Sequence, residues 1–490
     1  MRNKKSLLFL LLLAVSSATT SMAQERLLCS RDRHPQHMTM RSSRASEKTV
    51  SRRVEYIGEK RQLLFLVDFS DLYFKDTDPF TLWNKIFNQK NFQESPFRGS
   101  VRDYFYDQSF GQFDLKFDVY YVHMDKEHRE YRSGDIDDFD DTRSGLLLTE
   151  ILDMKKGEIP DWSVYDWDDD GYVDQTIILF AGKGQADGGD NTTIWPHQWA
   201  LSSQSESPYY REWGHPYQVT SGGKDYLIDR YGIFPELTRG NTYGTFGTFC
   251  HEYSHCLGLP DFYYGTTKFV WKWDVMDYGN YNEGGFCPPG YSAHERTYFG
   301  WLDPIELTET TTITELESIS EGKKMAYLIR NDGYPNEFYI VENRQKTGWD
   351  SSLPGSGIVI FHIDFDEGEW IYGNPNTDSR KMYTIIPANN KSGISYSSGW
   401  AYPYGENNTL TNESTPAATL YHKNTDGTLF MNKSLTDMTV TGGLVSFNFK
   451  NETTGIFEQK VLGEPKILYD YGPIYIIRNA RGEIKKVMKH

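Results

Sequence analysis

The sequence predicts an α+β protein in which a mixed, twisted sheet with a candidate active-site helix is followed by a β-rich, sandwich-like C-terminal region. Strand and helix patterns are mixed over residues 61–305, whereas residues 306–450 carry short β-branched and aromatic runs separated by Gly, Asn and Ser turns. With 490 residues, of which 38% are hydrophobic, the chain can bury two or three cores.

Residues 1–23 have the pattern of a secretory signal peptide. A basic start at Arg2, Lys4 and Lys5 precedes an apolar centre and a small-residue cleavage site at residues 21–23. No later run approaches the ~20 apolar residues that cross a bilayer. We therefore expect a mature protein without a transmembrane segment, either secreted or attached to the cell surface.

Residues 24–60 form a polar, basic segment with little apolar periodicity. Its arginines, including Arg52 and Arg53, could be cut by a trypsin-like activator, so we interpret it as a short propeptide; a plain linker is the alternative. Cys29 in this segment is a candidate latency residue, since a soft thiolate could bind a metal ion held elsewhere in the chain.

Apolar periodicity and capping patterns predict the elements of the region 61–305 in order. They are a buried strand at 62–69, a helix at 100–109 that begins with a Ser100 and Asp103 capping box, a strand at 113–122, a helix at 146–154, a buried strand at 173–181 and a helix at 244–257. The last of these helices contains candidate functional residues.

Residues 166–174 (DWDDDGYVD) match the first part of an EF-hand-type calcium loop. The candidate calcium ligands are Asp166, Asp168, Asp170, Tyr172 and Asp174. Position 12 of the loop is Ile177 in place of the usual glutamate, so the site lacks a ligand or takes one from elsewhere. An acidic turn without calcium is the alternative.

The most specific pattern is HEYSHCLGLPD, which starts at His251. Residues four apart lie on one helix face, so His251 and His255 can both reach one metal ion. Gly258 suits the left-handed turn that ends a helix, and such a turn can bring Asp261 round as a third ligand. Three ligands and an open fourth position are typical of catalytic zinc, and Glu252 is placed to be the general base.

These residues resemble the metzincin clan and, within it, the immune inhibitor A-type family of secreted bacterial metallopeptidases, whose members have a closely similar HEYGHDLGLPD segment. Further stretches similar to that family are SVRDYF from Ser100, DWDDDGYVD from Asp166, IWPH from Ile194, FGWLDP from Phe299, and residues 355–364. The resemblance covers residues 62–390 and implies a metzincin-like zinc peptidase domain.

The resemblance also implies roles for residues that follow the helix. Met276 stands where metzincins have their Met-turn, the apolar floor under the metal, and Tyr278 stands where some of them place a tyrosine that contacts the metal or the oxyanion. Ordinary packing is the alternative for both. In a gluzincin the third ligand would be a glutamate such as Glu283 or Glu295, although the glycine signature favours Asp261.

Other side chains carry weaker signals. We interpret His197 and His294 as surface or core residues rather than ligands. Four cysteines are too few for a disulfide scaffold, although Cys287 could pair with Cys250 or Cys256.

Short strands are predicted beyond residue 304. They lie at 327–330, 337–342, 357–363, 382–386 and 444–449. We expect the first part of the region 306–450 to pack on the peptidase unit. Residues 451–490 form a C-terminal β-tail, which is either a sorting signal for export through an outer membrane or a plain hairpin.

The net charge of −17 argues against nucleic acid as a partner, because so acidic a body would repel it. We expect a secreted, monomeric zinc endopeptidase that acts on proteins or peptides and is made as a latent precursor. Two other classes stay open. One is a surface adhesin that keeps a peptidase-like fold, and the other is a zinc amidase that acts on cell-wall peptides.

Overall fold

The computed structural model describes residues 56–132, 143–204, 214–372 and 374–452, together with the backbone of three strands between residues 466 and 488. The predicted signal peptide, Cys29 and the predicted propeptide up to residue 55 lie outside these ranges. Within the described ranges, no helix combines the length and the apolar character that crossing a bilayer requires.

The first part of the chain builds one main sheet with helices around it. Its elements are β1 (Gly58–Phe69), α1 (Pro79–Asn88), α2 (Val101–Gln108), β2 (Phe113–Met124), α3 (Ser144–Lys155), β3 (Tyr172–Val173), β4 (Thr176–Lys183), β5 (His197–Ala200), β6 (Tyr217–Ser221), β7 (Lys224–Ile228), β8 (Arg230–Leu237), α4 (Thr245–Leu257) and α5 (Ala293–Tyr298). The main sheet has the order β2, β1, β4, β8, β5. Its first four strands are parallel, whereas β5 is an antiparallel edge strand paired with β8.

The position of β1 inside this sheet explains its continuous apolar run. Leu64 and Leu66 point into an apolar cluster that includes α4, whereas Leu63 and Phe65 point into a second cluster that includes α3. Successive side chains of a strand point to opposite faces, so a strand covered on both faces is apolar at nearly every position.

Helix α4 is fixed between the main sheet and a loop that follows it in sequence. On one side the ring of Phe249 packs on Phe234 of β8, with centroids 4.8 Å apart. On the other side the helix backbone lies against the 3-10 segment Gly279–Gly285, where a Cβ added to Gly247 would stand 2.0 Å from the carbonyl oxygen of Asn280. The helix therefore has little freedom to shift.

Two further sheets and a tail follow. Their elements are β9 (Ile305–Glu306), β10 (Thr311–Leu316), β11 (Tyr327–Arg330), β12 (Glu337–Arg344), β13 (Gly357–Asp364), α6 (Glu367–Tyr372), β14 (Tyr383–Ile385), β15 (Lys433–Thr441), β16 (Leu444–Asn451), β17 (Lys466–Tyr471), β18 (Ile474–Arg478) and β19 (Ile484–Met488). One sheet has the order β14, β13, β12, β11, β9, and the other has the order β10, β16, β15. The tail strands β17, β18 and β19 form a separate antiparallel sheet.

The central strands β12 and β13 connect the two parts of the molecule. Ile340 and Phe361 belong to the apolar cluster that includes α4. Val341 and Ile360 point the other way and belong to a cluster with Phe447 of β16. One apolar cluster thus runs from the main sheet into the C-terminal region, and the α+β class with separate sheets and few helices agrees with the prediction.

One predicted strand needs correction. Residues 173–181 belong to two strands, β3 and β4, because the strand is interrupted at Asp174. The Oδ2 of Asp174 accepts the backbone N–H of Trp167 at 2.5 Å. Strand β3 pairs with β7 in a small separate sheet. The pattern also missed helix α1 and the strands β5 to β8, whereas the other predicted elements are present with shifted ends.

The suggested disulfide of Cys287 is also corrected. Cys250, Cys256 and Cys287 are all thiols in the structure. The Sγ of Cys287 lies 3.3 Å from the carbonyl oxygen of Trp349, so it contacts the backbone rather than another cysteine.

Substituting Gly247 tests the fixed position of α4. Alanine is normally better than glycine inside a helix by about 1 kcal/mol. At Gly247 the added methyl group would meet two carbonyl oxygens, at 2.0 and 2.9 Å, so we expect Gly247→Ala to lower the free energy of unfolding by about 1–3 kcal/mol in urea titrations. Gly157→Ala is the control, since a Cβ there meets nothing within 4 Å. Equal stability of the two variants would contradict the close contact.

Candidate metal centre

The turn after α4 brings an acidic residue back to the histidine face of the helix. Gly258 has a φ of 119°, a left-handed conformation that glycine adopts without a Cβ clash. The N–H groups of Gly258 and Leu259 both donate to the Ser254 carbonyl at 3.0 Å, which ends the helix tightly. Pro260 cannot continue a helix, and the chain returns so that Asp261 faces the two imidazoles.

His251, His255 and Asp261 converge, and all three are buried. Asp261 Oδ1 lies 3.2 Å from Nε2 of His251 and 3.1 Å from Nε2 of His255. Zinc holds nitrogen and oxygen ligands at ~2.0–2.2 Å in a tetrahedron, so two of its ligand atoms stand about 3.3 Å apart. The three side chains therefore fit the ligand spacing of such an ion.

The orientation of both imidazoles is set by backbone carbonyls. Nδ1 of His251 lies 2.7 Å from the Val275 carbonyl oxygen, and Nδ1 of His255 lies 2.7 Å from the Leu259 carbonyl oxygen. A carbonyl oxygen only accepts, so each Nδ1 carries the proton and donates it. Each Nε2 is then the ring nitrogen that faces Asp261, and it is the atom that the ring can offer to a metal ion.

The charges around the three residues favour a cation. Burial opposes a positive charge on His251, but Asp261 and Glu252 together outweigh burial and raise the pKa of His251 to about 9. Burial likewise opposes the charge of Asp261, but His255 and His251 hold the pKa of its carboxyl well below the usual range. The pocket thus stabilises positive charge next to a carboxylate, which is the electrostatic setting of a metal centre.

Glu252 follows the first histidine on α4 and is buried beside the converging residues. Its carboxylate is not part of the converging group. Met276 lies in the segment whose Val275 carbonyl holds His251, and it is fully buried. The Met276 carbonyl accepts the N–H of Phe262 at 2.9 Å, which ties this segment to the residue after Asp261.

The protein-family model described as "Immune inhibitor A peptidase M6, catalytic domain" matches residues 52–301 of this chain. The chain belongs to this M6 family. The match contains α4, Asp261 and Met276, and it confirms the family resemblance seen in the segment that starts at His251. The family is one of metallopeptidases, which implies a bound metal.

Two named relatives are similar to this M6 chain. Immune inhibitor A of Bacillus thuringiensis subsp. alesti is 30% identical over 161 residues, which are 28% of this chain and 21% of the relative. Pre-pro-metalloprotease PrtV of Vibrio cholerae serotype O1 is 24% identical over 314 residues, which are 54% of this chain and 32% of the relative. The chain thus spans between a fifth and a third of the length of these relatives.

Two tyrosines of the M6 chain bear on the candidate centre, one by prediction and one by contact. Tyr278 stacks on Trp271 with ring centroids 4.2 Å apart, which is a packing contact, and its contact with metal or oxyanion stays a prediction. Tyr263, which the sequence pattern did not single out, lies over His251 with centroids 6.4 Å apart, and Nζ of Lys268 is 3.9 Å from the Tyr263 ring centroid. The only sequence signal for a role of Tyr263 near the centre was its position two residues after Asp261.

The alternative glutamate ligands have other partners. Glu283 forms an ion pair with Arg98 at 3.3 Å. Glu295 accepts the N–H of Ser292 at 2.6 Å in a capping box at the start of α5. Neither glutamate belongs to the converging group, whereas Asp261 does.

The other histidines considered also lie elsewhere. The ring of His294 packs edge to face on Trp370 with centroids 5.0 Å apart, and burial lowers the pKa of His294 to about 3. His197 lies between the Trp195 carbonyl oxygen, 2.6 Å from Nδ1, and the Ser144 hydroxyl, 3.1 Å from Nε2.

The acidic loop at residues 166–174 brings three of its five candidate calcium ligands together. Asp166, Asp168 and Asp174 each offer a carboxylate oxygen within 4.8 Å of the others. The carboxylate of Asp166 also accepts the N–H groups of Asp170 and Gly171 at 2.9 Å. Asp170 and Tyr172 are not part of the converging group, and calcium at this loop stays a prediction.

Asp187 is a buried acid near the candidate centre that the sequence pattern missed. It lies in the loop between β4 and β5, is 5% exposed, and its N–H donates to the Gly184 carbonyl. Burial and then the charge of Glu252 raise the pKa of Asp187 to about 7, against an opposing effect of Arg239. Only the fold brings Asp187 near Glu252, so residue spacing alone could not reveal it.

Asp187→Asn tests this carboxyl through the pH dependence of stability. An acid whose pKa is raised on folding binds more protons when folded, so stability is lost as the pH rises toward the folded pKa. Asparagine avoids the buried charge. From pH 5 to pH 8, with EDTA present, we expect the variant to gain about 3 kcal/mol of unfolding free energy relative to the parent chain.

Asp190→Asn is the matched control from the same loop. Hydrogen bonds from Thr192 lower the pKa of Asp190, so its substitution should not produce a gain at high pH. Urea titrations that give the same pH dependence for the parent chain and for Asp187→Asn would contradict the raised pKa.

Proposed function

We propose that this protein is a zinc-dependent endopeptidase with a metzincin-like catalytic domain. The observation that carries the proposal is the convergence of His251, His255 and Asp261 on one point, at distances that suit zinc. Three protein ligands with an open fourth position are typical of catalytic rather than structural zinc. The family match and the name of the relative PrtV, a pre-pro-metalloprotease, support the same activity.

The chemistry divides between the ion and the chain. A bound zinc ion supplies a Lewis acid and makes water acidic enough to attack at neutral pH. Glu252, next to His251 on α4, takes the proton of the attacking water and later delivers it to the leaving amine. Its burial excludes bulk water that would compete for this proton transfer.

The edge strand β5 supports the binding of an extended peptide. It pairs with β8 on one side, and no strand in the described part of the chain pairs with its other side. It also lies near α4. An extended substrate could therefore add to this edge by backbone hydrogen bonds and place its scissile carbonyl by the metal ligands.

The remaining proposals concern export and maturation. The signal-peptide pattern of residues 1–23 supports secretion, and the basic segment that follows supports a precursor that Cys29 keeps latent.

The converging carboxylates of residues 166–174 support a calcium site as a stabilising element.

Glu252→Gln separates catalysis from metal binding. The amide cannot act as a base but leaves the ligands intact, so we expect cleavage of casein to fall by at least about 100-fold while zinc stays bound at the parental stoichiometry. Glu283→Gln, which alters an acid paired with Arg98, should leave cleavage unchanged. Full activity of Glu252→Gln would refute the assigned base.

Asp261→Ala should act on the metal itself. Losing one of three ligands is expected to weaken zinc binding by at least about 100-fold, as measured by competition with a chelator. Unchanged zinc affinity would remove Asp261 from the ligand set.

The substrate class is decided by a separate comparison. Processed protein incubated with casein and with cell-wall fragments, each with and without chelator, distinguishes three outcomes. Chelator-sensitive casein cleavage supports the endopeptidase, release of cell-wall peptides alone supports an amidase, and binding without turnover supports an adhesin.

A further inference from the structure

Two buried side chains from the C-terminal region reach the segments that enclose the candidate metal centre. The family match ends at residue 301. Asn376, in the loop before β14, and Tyr383, in β14, lie beyond it, and both are 0% exposed. Each side chain is hydrogen-bonded to one of two segments, the one that carries Asp261 or the one that carries Met276.

Asn376 holds the segment that carries Asp261. Its Nδ2 donates to the carbonyl oxygen of Phe262, the residue after Asp261, at 2.8 Å, and to the Tyr383 carbonyl at 2.7 Å. Its Oδ1 accepts the N–H groups of Met382 and Tyr383 at 2.9 and 3.0 Å. All four hydrogen-bonding positions of the amide are used, so its orientation is fixed and it fixes the Phe262 carbonyl.

Tyr383 holds the segment that carries Met276. Its hydroxyl donates to Asp274 Oδ2 at 2.8 Å, and Asp274 Oδ1 accepts the N–H of Met276 at 2.8 Å. Its ring also stacks on Phe262 with centroids 3.8 Å apart. One side chain thus touches both segments.

These contacts matter because both segments orient metal ligands. The Val275 carbonyl, between Asp274 and Met276, holds Nδ1 of His251. A shift of either segment would move His251 relative to Asp261. Partners that orient metal ligands from outside the ligand shell change metal affinity when they are removed.

We infer that Asn376 and Tyr383 are positioning residues for the metal centre, supplied by the C-terminal region. The inference rests on the proposed function, because it requires that His251 and Asp261 bind the ion. Neither residue touches the ligand atoms, so neither is a catalytic residue.

Tyr383→Phe is the main test, with Tyr339→Phe as its matched control. Tyr339 is a buried tyrosine of β12 whose hydroxyl donates to the Thr419 carbonyl in a different apolar cluster. We expect Tyr383→Phe to weaken zinc binding about 10-fold or more, measured by chelator competition, and to alter the absorption spectrum of the cobalt-substituted protein. Tyr339→Phe should leave both readouts unchanged.

A second pair keeps the test decisive if Tyr383→Phe fails to fold. Asn376→Ala should also weaken zinc binding about 10-fold. Its control is Asn343→Ala, since Asn343 is equally buried and its amide donates to the Leu316 and Gly443 carbonyls at 2.8 Å.

The outcomes separate this inference from the proposed function. Equal zinc affinities within both pairs, or equal losses within both pairs, would overturn the positioning role. Processed parent protein that binds zinc without cleaving casein would refute the peptidase proposal, while the affinity comparison would still decide the role of Tyr383 and Asn376. A parent chain with no affinity for zinc would overturn both.

Discussion

Two hydrogen bonds, from the Nδ1 atoms of His251 and His255 to backbone carbonyls, determine the geometry of the candidate centre. Both are 2.7 Å long. They fix the orientation of each ring, so that Nε2 of each faces Asp261. Their acceptors belong to Val275 and Leu259, which follow the helix. The site therefore depends on how the chain returns after Gly258 as much as on the helix itself.

The same pair of oriented imidazoles also stabilises the buried negative charge of Asp261. A buried carboxylate such as that of Asp261 is costly unless positive charge or donors surround it. Here two imidazoles, oriented by the main chain, provide that environment and hold the pKa of Asp261 low. The acid and the histidines thus stabilise one another, and a divalent cation would satisfy all three.

Local signals in the sequence predicted the parts of the molecule that local interactions determine. The Ser100 and Asp103 capping box is present at the start of α2, and the left-handed Gly258 ends α4. The apolar run of β1 became a strand covered on both faces. The histidine spacing and this turn together predicted that His251, His255 and Asp261 converge, as they do.

Long-range contacts determine what the sequence could not indicate. The hydrogen bond from Asn376 to Phe262 joins residues 114 positions apart, and that from Tyr383 to Asp274 joins residues 109 apart. No spacing rule connects such pairs. The strands β5 to β8 and the burial of Asp187 likewise follow from pairing and loop packing rather than from periodicity.

The shared apolar cluster has a consequence for the order of events during synthesis. Polypeptides are made and folded from the N-terminus onward. Helix α4 is therefore translated well before β12 and β13, which complete the cluster that encloses it. A nascent chain therefore contains the histidines before it contains the C-terminal strands that complete the cluster around them. The environment that aligns His251 with Asp261 is thus complete only once the C-terminal strands have been made.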